Sequence, residues 1–192
     1  MPLPAPPLID TPRLQLRRVE VEDLPALLQI NGDEQVTRHL PYATWRSMDD
    51  ATAWYERMSV LQATGGAMQL VVVDKASARP IGTCLVFRHD EGSARAEIGY
   101  VLGREHWGRG CMREALQALI EFTFGSWGLR RLEAEVNPAN TASVALLERL
   151  DFVREGLLRQ RWVGPHGGAY DVFIYGLLRG EPAAAAAAPA GD

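Results

Sequence analysis

Residues 97–116, EIGYVLGREHWGRGCMREAL, form the stretch that decides the fold. It begins as a strand, passes through a tight loop that contains Gly108 and Gly110, and continues as an amphipathic helix. Glycines at the start of a helix let backbone N–H groups point at an anion, and the helix dipole strengthens the attraction. The pattern therefore predicts a pyrophosphate site in which Arg109 supplies positive charge. One alternative stays open: the two glycines serve only the turn, because the loop matches neither a Walker loop nor a full dinucleotide fingerprint.

Strand and helix patterns continue on both sides of this stretch. The predicted strands are residues 13–19, 69–74, 81–88, 96–102, 132–137, 152–163 and 169–178. The predicted helices are one capped by Asp23, one starting near Asp49, the long helix after the loop, and residues 141–150. Three successive strands before the long helix argue against a doubly wound fold, which needs strict alternation. We therefore predict an α/β fold with a mixed sheet flanked by helices.

Composition favours one domain without a nucleic-acid, metal or membrane site. The chain has 192 residues, 47% of them hydrophobic, and its net charge of −4 is unlike that of a nucleic-acid-binding protein. Cys84, Cys111 and the four single histidines lack zinc-ligand spacing, and free thiols are typical of the reducing cytoplasm. No apolar run is long enough to span a membrane and the start does not resemble a signal peptide, so we expect a cytoplasmic protein.

Local composition divides the chain into three parts. Residues 1–10 are rich in proline and are predicted to form an extended arm. Residues 11–181 are predicted to form the folded domain, and residues 182–192 a disordered tail rich in alanine and proline. We expect neither end to carry function.

Five short motifs follow one another in the order and spacing of a known superfamily. They are TPRLQLR at residues 11–17, EIGYVL at 97–102, HWGRG at 106–110, NPANTAS at 137–143 and DVFIYGLLR at 171–179. Each motif alone is a modest signal, but together they span the predicted domain and resemble the GNAT acetyltransferase superfamily. More closely, the chain resembles the branch that contains the ribosomal-protein N-terminal alanine and serine acetyltransferases.

The resemblance implies a GNAT fold, a mixed and mostly antiparallel sheet that splays between its fourth and fifth strands and is flanked by helices. The pantetheine arm of acetyl-CoA would lie in the gap like an added strand, held by backbone groups of Val101 and Leu102. The N–H groups of residues 108–112 would hold the pyrophosphate, and Asn140 would reach the pantetheine or its thioester end. The implied acetyl-CoA-binding residues are Tyr100, Val101, Leu102, Gly108, Arg109, Gly110, Cys111, Met112, Asn140 and Ser143. No metal is implied.

Three positions depart from the superfamily pattern. Glu105 stands where Gln or Arg commonly starts the pyrophosphate motif, which affects a side-chain contact but not the backbone donors. Asp151 stands where Gly is usual, and we expect it to adopt the same left-handed turn. Leu147 stands where many members carry the tyrosine that protonates the departing thiolate, and leucine cannot donate a proton.

Two residues are candidates for moving protons. Ser143 lies one turn inside the helix that follows Asn140, and we predict that it contacts the thiolate as the general acid. Alternatively, Ser143 bonds to a helix carbonyl and Asn140 simply caps the helix. Glu97 shares a strand face with Val101 and is the predicted general base. The alternative is that Glu97 is a surface carboxylate paired with Arg95 or another arginine.

These residues predict an N-acetyltransferase that moves the acetyl group of acetyl-CoA to a primary amine by direct attack in a ternary complex. A backbone N–H of Val101 or Leu102 would meet the oxyanion. An α-amino group, with a pKa of about 7.7–8.0, is deprotonated more easily than a lysine at about 10.4. The resemblance favours a protein or peptide N-terminal amine as the acceptor, and a homodimer is the expected assembly.

Three alternatives stay open. The acceptor can instead be a small amine, such as an amino acid, a polyamine or an antibiotic. The protein can also be a non-catalytic acyl-CoA sensor that keeps the cofactor cleft without the chemistry, as Leu147 slightly favours. A nucleotide-dependent oxidoreductase is a weaker rival, because the acidic residue expected at the end of a second parallel strand is missing.

Overall fold

The computed structural model describes residues 8–164 and 167–180, and its centre is one eight-stranded sheet. The strands are β1 (Ile9–Asp10), β2 (Leu14–Arg18), β3 (Ala67–Asp74), β4 (Arg79–Asp90), β5 (Arg95–Leu102), β6 (Arg131–Val136), β7 (Val153–Val163) and β8 (Ala169–Leu178). The helices are α1 (Leu24–Asn31), α2 (Glu34–Thr37), α3 (Met48–Ala63), α4 (Cys111–Gly125) and α5 (Thr141–Glu148), with short 3-10 helices at Val21–Asp23 and Arg104–His106. The predicted tail at residues 182–192 and the first seven residues of the predicted arm lie outside the described residues.

The strands follow the order β1-β2-β3-β4-β5-β6-β8-β7. Every neighbouring pair is antiparallel except β5 and β6, which are parallel. This arrangement confirms the predicted mixed, mostly antiparallel sheet. The edge strand β1 was not predicted: it lies in the proline-rich segment, where buried Ile9 pairs with Leu16 of β2.

Helices cover both faces of the sheet. Helices α4 and α5 pack on one face, where α4 buries Met112, Leu116 and Leu119 at helical spacing. Helices α1 and α3 pack on the other face, where Leu27 and Trp54 belong to a second buried cluster. None of the helices within the described ranges has the length and hydrophobicity needed to cross a membrane.

Strands β5 and β6 separate after a short common ladder. They pair only from Arg95 to Glu97, which lie opposite residues 131–133. Beyond this point β5 continues along β4 as far as Leu102, while β6 continues along β8 as far as Val136. These two strands are the predicted fourth and fifth, so the splay lies where the resemblance implied.

Two local predictions have different outcomes. Asp151 adopts the expected left-handed conformation, with φ of 63° after α5. Asp23 occupies the N-cap position of α1, but its side chain makes no capping hydrogen bond to that helix. Its carboxylate instead accepts from the N–H of Glu20 and from the guanidinium of Arg17, each at 2.8 Å. The prediction that the Asp23 side chain caps α1 is therefore wrong. Its carboxylate is already hydrogen-bonded to Arg17 and to the backbone of the preceding turn.

Candidate active site

The divergence of β5 and β6 opens a cleft of about 320 Å³. Its lining includes site residues predicted from the sequence, namely Glu97, Tyr100, Val101, Asn140 and Ser143. It also includes aromatic residues, namely Tyr42, Trp54, Phe87, Trp162 and Tyr170. The structure thus brings the predicted base and the predicted acid to one cleft, together with Tyr100, Val101 and Asn140. Leu147 lies in the same wall, as an apolar residue.

The register of β4 and β5 decides which peptide groups of β5 face this cleft. The N–H of Gly103 donates to the C=O of Ile81 at 2.8 Å, and Val101 lies two residues further along the same ladder. Because hydrogen-bonded pairs alternate along an antiparallel ladder, the peptide groups of Val101 are directed at β4. The peptide groups of Tyr100 and Leu102 are directed at the cleft. The peptide groups of Val101 therefore do not face the cleft, as the predicted backbone role would need, whereas those of Tyr100 do.

One of the cleft-facing groups of Leu102 is already engaged. The indole Nε1 of Trp107 donates to the C=O of Leu102 at 2.8 Å. This bond folds the start of the loop back onto the end of β5. The N–H of Leu102 and both peptide groups of Tyr100 are the backbone groups available for a ligand that lies in the gap.

The glycine loop presents backbone donors at the start of α4. Gly108 and Gly110 have φ of 70° and 74°, which side chains rarely adopt. The first hydrogen bond of α4 joins the N–H of Glu114 to the C=O of Gly110 at 3.0 Å, so the N–H groups of residues 111–113 have no partner within the helix. Space beside Gly108 is open, because a Cβ there would meet none of the described atoms within 4 Å. The glycines make the turn, and the loop that they form also leaves donors that suit an anion, so the anion site stays a prediction.

A network that sequence reasoning missed fastens this loop to the N-terminal strands. Arg13 donates from Nη1 to the C=O of Arg109 at 3.0 Å and from Nε to Glu114 at 2.6 Å, while Thr11 Oγ1 also donates to Glu114 at 2.6 Å. Burial raises the pKa of Glu114, but the hydrogen bonds from Thr11 and Arg13 bring it below its usual value. The motif TPRLQLR indicated Thr11 and Arg13, although nothing in it shows a partner 101 residues away.

Asn140 and Ser143 stand at the start of α5. Asn140 is the N-cap, and its Oδ1 accepts from the N–H of Ser143 at 3.2 Å, as the capping interpretation expects. The hydroxyl of Ser143 lies 2.6 Å from the hydroxyl of Tyr100, rather than bonding to a helix carbonyl. Burial raises the pKa of Tyr100 well above its usual value of 10.0, and the bond to Ser143 lowers it by less. The phenol is therefore protonated at neutral pH and can donate a hydrogen bond, which the sequence alone did not indicate.

Glu97 is a buried carboxylate rather than a surface one, with 6% of its area exposed. Its Oε2 accepts from Arg88 Nη1 at 2.6 Å. The alternative of a pair with Arg95 or another arginine is therefore met by Arg88, while Arg95 donates to Glu133 at 3.0 Å. Burial raises the pKa of Glu97 by more than the hydrogen bond and charge of Arg88 lower it. A carboxylate with a raised pKa in a cleft is suited to accept a proton.

A second carboxylate, Glu135, lines the cleft and was not among the predicted site residues. Its side chain is 8% exposed and accepts from Trp162 Nε1 at 2.5 Å, from Arg161 Nη2 at 3.1 Å and from Arg88 Nη1 at 3.3 Å. The alternation in the β6 sequence RLEAEV places Glu135 on the polar face. The pattern indicates the face, but the cleft depends on strands from elsewhere in the chain.

Comparison with known proteins agrees with this geometry. The GNAT acetyltransferase domain model matches residues 13–153. The uncharacterized N-acetyltransferase p20 of Bacillus licheniformis is 39% identical over 171 residues, which are 89% of this chain and 96% of that protein. The spermidine N(1)-acetyltransferase of Vibrio cholerae is 24% identical over 76% of this chain and 82% of its own length.

A solved structure supports the same assignment. The ribosomal-protein-S5-alanine acetyltransferase from Vibrio fischeri has a TM-score of 0.73 at 25% identity, over 90% of this chain and 97% of that one. The superfamily, the fold and the resemblance to the ribosomal-protein branch are thereby confirmed. The chain belongs to the GNAT acetyltransferase family and is an acetyl-CoA-dependent N-acetyltransferase.

Proposed function

We propose that the protein transfers the acetyl group of acetyl-CoA directly to a protein or peptide N-terminal amine, with both substrates bound at once. The observation that carries this proposal is the cleft between β5 and β6, which holds Glu97 together with the hydroxyls of Tyr100 and Ser143. A carboxylate can accept a proton from an amine, and a hydroxyl can donate a proton to a thiolate. Acetyl transfer needs both steps at the same gap in the sheet.

The strand edge along the cleft suits the pantetheine arm. The peptide groups of Tyr100 and the N–H of Leu102 offer donors and an acceptor for its amides, as a neighbouring strand would. Asn140 uses Oδ1 to cap α5, which leaves its amide nitrogen to donate to a pantetheine carbonyl. When bound, acetyl-CoA supplies the thioester carbonyl that the amine attacks.

The glycine loop suits the pyrophosphate. The N–H groups of residues 108–112 and the exposed guanidinium of Arg109 are the proposed donors. The side chains of Cys111 and Met112 are buried in the core, so these residues contribute only backbone. Glu114 forms an ion pair with Arg13, so the negative charge of its carboxylate is compensated near the proposed pyrophosphate site.

Ser143 and Tyr100 are proposed to act together on the departing sulfur. The Ser143 hydroxyl is proposed to donate toward the thiolate. It lies 2.6 Å from the Tyr100 hydroxyl, which can then act as the donor in the bond between the two hydroxyls. A coenzyme thiol has a pKa near that of cysteine, about 8.5, so the departing thiolate is only weakly basic and a hydrogen bond from a neutral hydroxyl is sufficient to stabilise it. Leu147, at the position of the usual tyrosine, is buried and has no proton to donate.

Glu97 is the proposed base on the acceptor side. It accepts the proton that the attacking amine loses, after Arg88 releases its Oε2. A cleft-facing N–H of Tyr100 or Leu102 is proposed to meet the oxyanion, in place of the N–H of Val101.

Two considerations support an N-terminal amine as the acceptor. The Vibrio fischeri relative is a ribosomal-protein-S5-alanine acetyltransferase. An α-amino group also has the lower pKa, about 7.7–8.0, and so makes the smaller demand on a carboxylate base.

A small cationic amine is the second candidate, and the two buried carboxylates of the cleft favour it. Glu97 and Glu135 lie near Phe87 and Trp162 in the cleft lining, and carboxylates with aromatic faces are the groups that bind cations. The similarity to the spermidine N(1)-acetyltransferase of Vibrio cholerae points the same way.

A thiol-release assay with acetyl-CoA separates these candidates. The amines are peptides that start with Ala or Ser, free amino acids and polyamines. We expect the highest kcat/KM with the peptides, and a higher value with polyamines would select the second candidate. Calorimetric binding of CoA without thiol release from any amine would support the acyl-CoA sensor and contradict the proposal.

We also propose a homodimer in the cytoplasm. Cys84 and Cys111 are free and buried, in agreement with a reducing compartment. Sedimentation analysis of the purified protein measures the assembly, and a monomer at micromolar concentration would contradict the dimer.

A further inference from the structure

Arg88 has an unusual backbone conformation at the rim of the cleft. It lies in β4 with φ of 50°, at the point where the register between β4 and β5 becomes irregular after Phe87. Non-glycine residues with positive φ are uncommon and cluster at functional sites. The distortion interrupts the alternation of β4 and allows Arg88 to reach Glu97, the partner of Phe87 in the ladder.

The guanidinium of Arg88 contacts four groups that each attract a cation. It donates to Glu97 at 2.6 Å and lies 3.3 Å from Glu135. It also lies 5.4 Å from the ring centroid of Phe87 and 5.5 Å from that of Trp162. We call Glu97, Glu135, Phe87 and Trp162 the cation cage. All four line the cleft, and each comes from a different strand: Phe87 from β4, Glu97 from β5, Glu135 from β6 and Trp162 from the edge strand β7.

The two buried carboxylates of the cation cage need a cation close to them. Both carboxylates have side chains that are only 8% exposed, and a buried carboxylate without a partner is costly. Arg161 serves Glu135 from one side, at 3.1 Å. For Glu97, Arg88 supplies the hydrogen bond. The side chain of Arg88 is itself 40% exposed, so its guanidinium can move from the cation cage into solvent without passing through the hydrophobic core.

We propose that the cation cage is the subsite for the ammonium group of the acceptor and that Arg88 occupies it as a tethered competitor until the acceptor binds. This inference rests on the proposed function, because it names the part of that cleft which receives the amine. Exchange of one cation for another keeps both carboxylates paired throughout. It also frees Oε2 of Glu97, which must accept the proton that the amine loses when it attacks the thioester.

The inference makes Arg88 a determinant of acceptor affinity. A binding site that is partly occupied by its own side chain has an apparent dissociation constant raised in proportion to that occupancy. Removing the guanidinium is therefore expected to tighten acceptor binding. A purely structural role for Arg88 would predict weaker binding or no change.

The test is calorimetric titration of the CoA-loaded protein with Ala-Ala-amide and with putrescine. CoA carries no acetyl group, so binding is measured without turnover. Arg88→Gly is the main variant, because glycine suits the positive φ, and Arg88→Gln is the second, in case the first alters the strand. The matched control is Arg95→Gln, which removes a similarly exposed arginine that serves Glu133 and Asp90.

We expect both Arg88 variants to bind the two amines about tenfold more tightly than the wild type, and Arg95→Gln to bind them as the wild type does. Glu135→Gln should weaken the binding of both amines. The affinity for N-acetyl-Ala-amide, which has no ammonium group, should be the same in the wild type and in the Arg88 variants. Equal or weaker amine binding by both folded Arg88 variants would overturn the inference. Failure of the proposed function would give a different result: none of the amines would cause thiol release, while these differences in binding would persist.

Discussion

Single side chains in the cleft owe their chemistry to burial and to their partners more than to residue type. Glu97 has a raised pKa because it is buried, and Arg88 limits that rise. Tyr100 keeps its proton for the same reason, since burial penalises the phenolate. Burial therefore moves both groups toward the protonated form, so the carboxylate gains basicity and the phenol remains a donor.

The pH dependence of kcat/KM tests the role of Glu97. Glu97 must be ionised to accept a proton, so activity is lost as pH falls through its raised pKa, above 4.5. Because the acceptor amine must be neutral as well, log kcat/KM should fall with a slope of about two below that pKa. In Glu97→Gln the slope should stay near one, and kcat should fall about a hundredfold. An unchanged slope and kcat in the folded variant would remove Glu97 from the chemistry.

Ser143 and Tyr100 should behave as one unit. Ser143→Ala is expected to lower kcat by roughly tenfold to a hundredfold, because the thiolate loses its contact. Tyr100→Phe removes only the hydroxyl and should lower kcat by less. In the double variant the two losses should not add, since Tyr100 acts through Ser143. Steady-state kinetics with saturating acetyl-CoA measures all three, and fully additive losses would show that the hydroxyls act independently.

Sequence motifs pointed to residues that line the cleft but not to the partners of those residues. The motif EIGYVL supplied Glu97 and Tyr100, and NPANTAS supplied Asn140 and Ser143. The bond from Arg88 to Glu97 depends on a positive φ within a strand, and no residue pattern marks that conformation. The direction of the Val101 peptide groups depends on the register with β4, which a single strand does not encode.

At the scale of elements, the loop and helix proposed to bind the pyrophosphate are held in place by residues near the N-terminus. Periodicity predicted α4 and the strand before it, because apolar spacing is a local property. The two-residue strand β1 was missed, since two residues show no alternation. The link from Arg13 to Arg109 and Glu114 joins segments that meet only after the sheet has formed.

Arg13 should therefore control acetyl-CoA affinity. In Arg13→Gln the loop loses its tie to Arg109 and the charge of Glu114 is no longer compensated, so KM for acetyl-CoA should rise about tenfold. The kcat should change little, because Arg13 lies outside the cleft. Arg46→Gln is the control, since Arg46 forms an exposed ion pair with Glu34. An equal effect of both substitutions on KM would exclude a specific role for the Arg13 network.

At the scale of the whole molecule, the sheet consists of two antiparallel blocks of strands that are joined by a three-residue parallel ladder. Strands β1 to β5 form one block, and β6, β8 and β7 form the other. Ion pairs reinforce the junction, where Glu133 accepts from Arg95 at 3.0 Å and from Arg131 at 2.8 Å. Beyond this junction the blocks separate. The cleft is thus a consequence of topology, and it was predictable only from the resemblance of the motifs to a superfamily with the same splay.

A crystal structure of the complex with CoA tests the central claim most directly. We expect the pantetheine arm between β5 and β6, hydrogen-bonded to backbone groups of Tyr100 and Leu102, with the pyrophosphate on the N–H groups of residues 108–112. Coenzyme bound elsewhere, with β5 and β6 paired along their full length, would contradict the account.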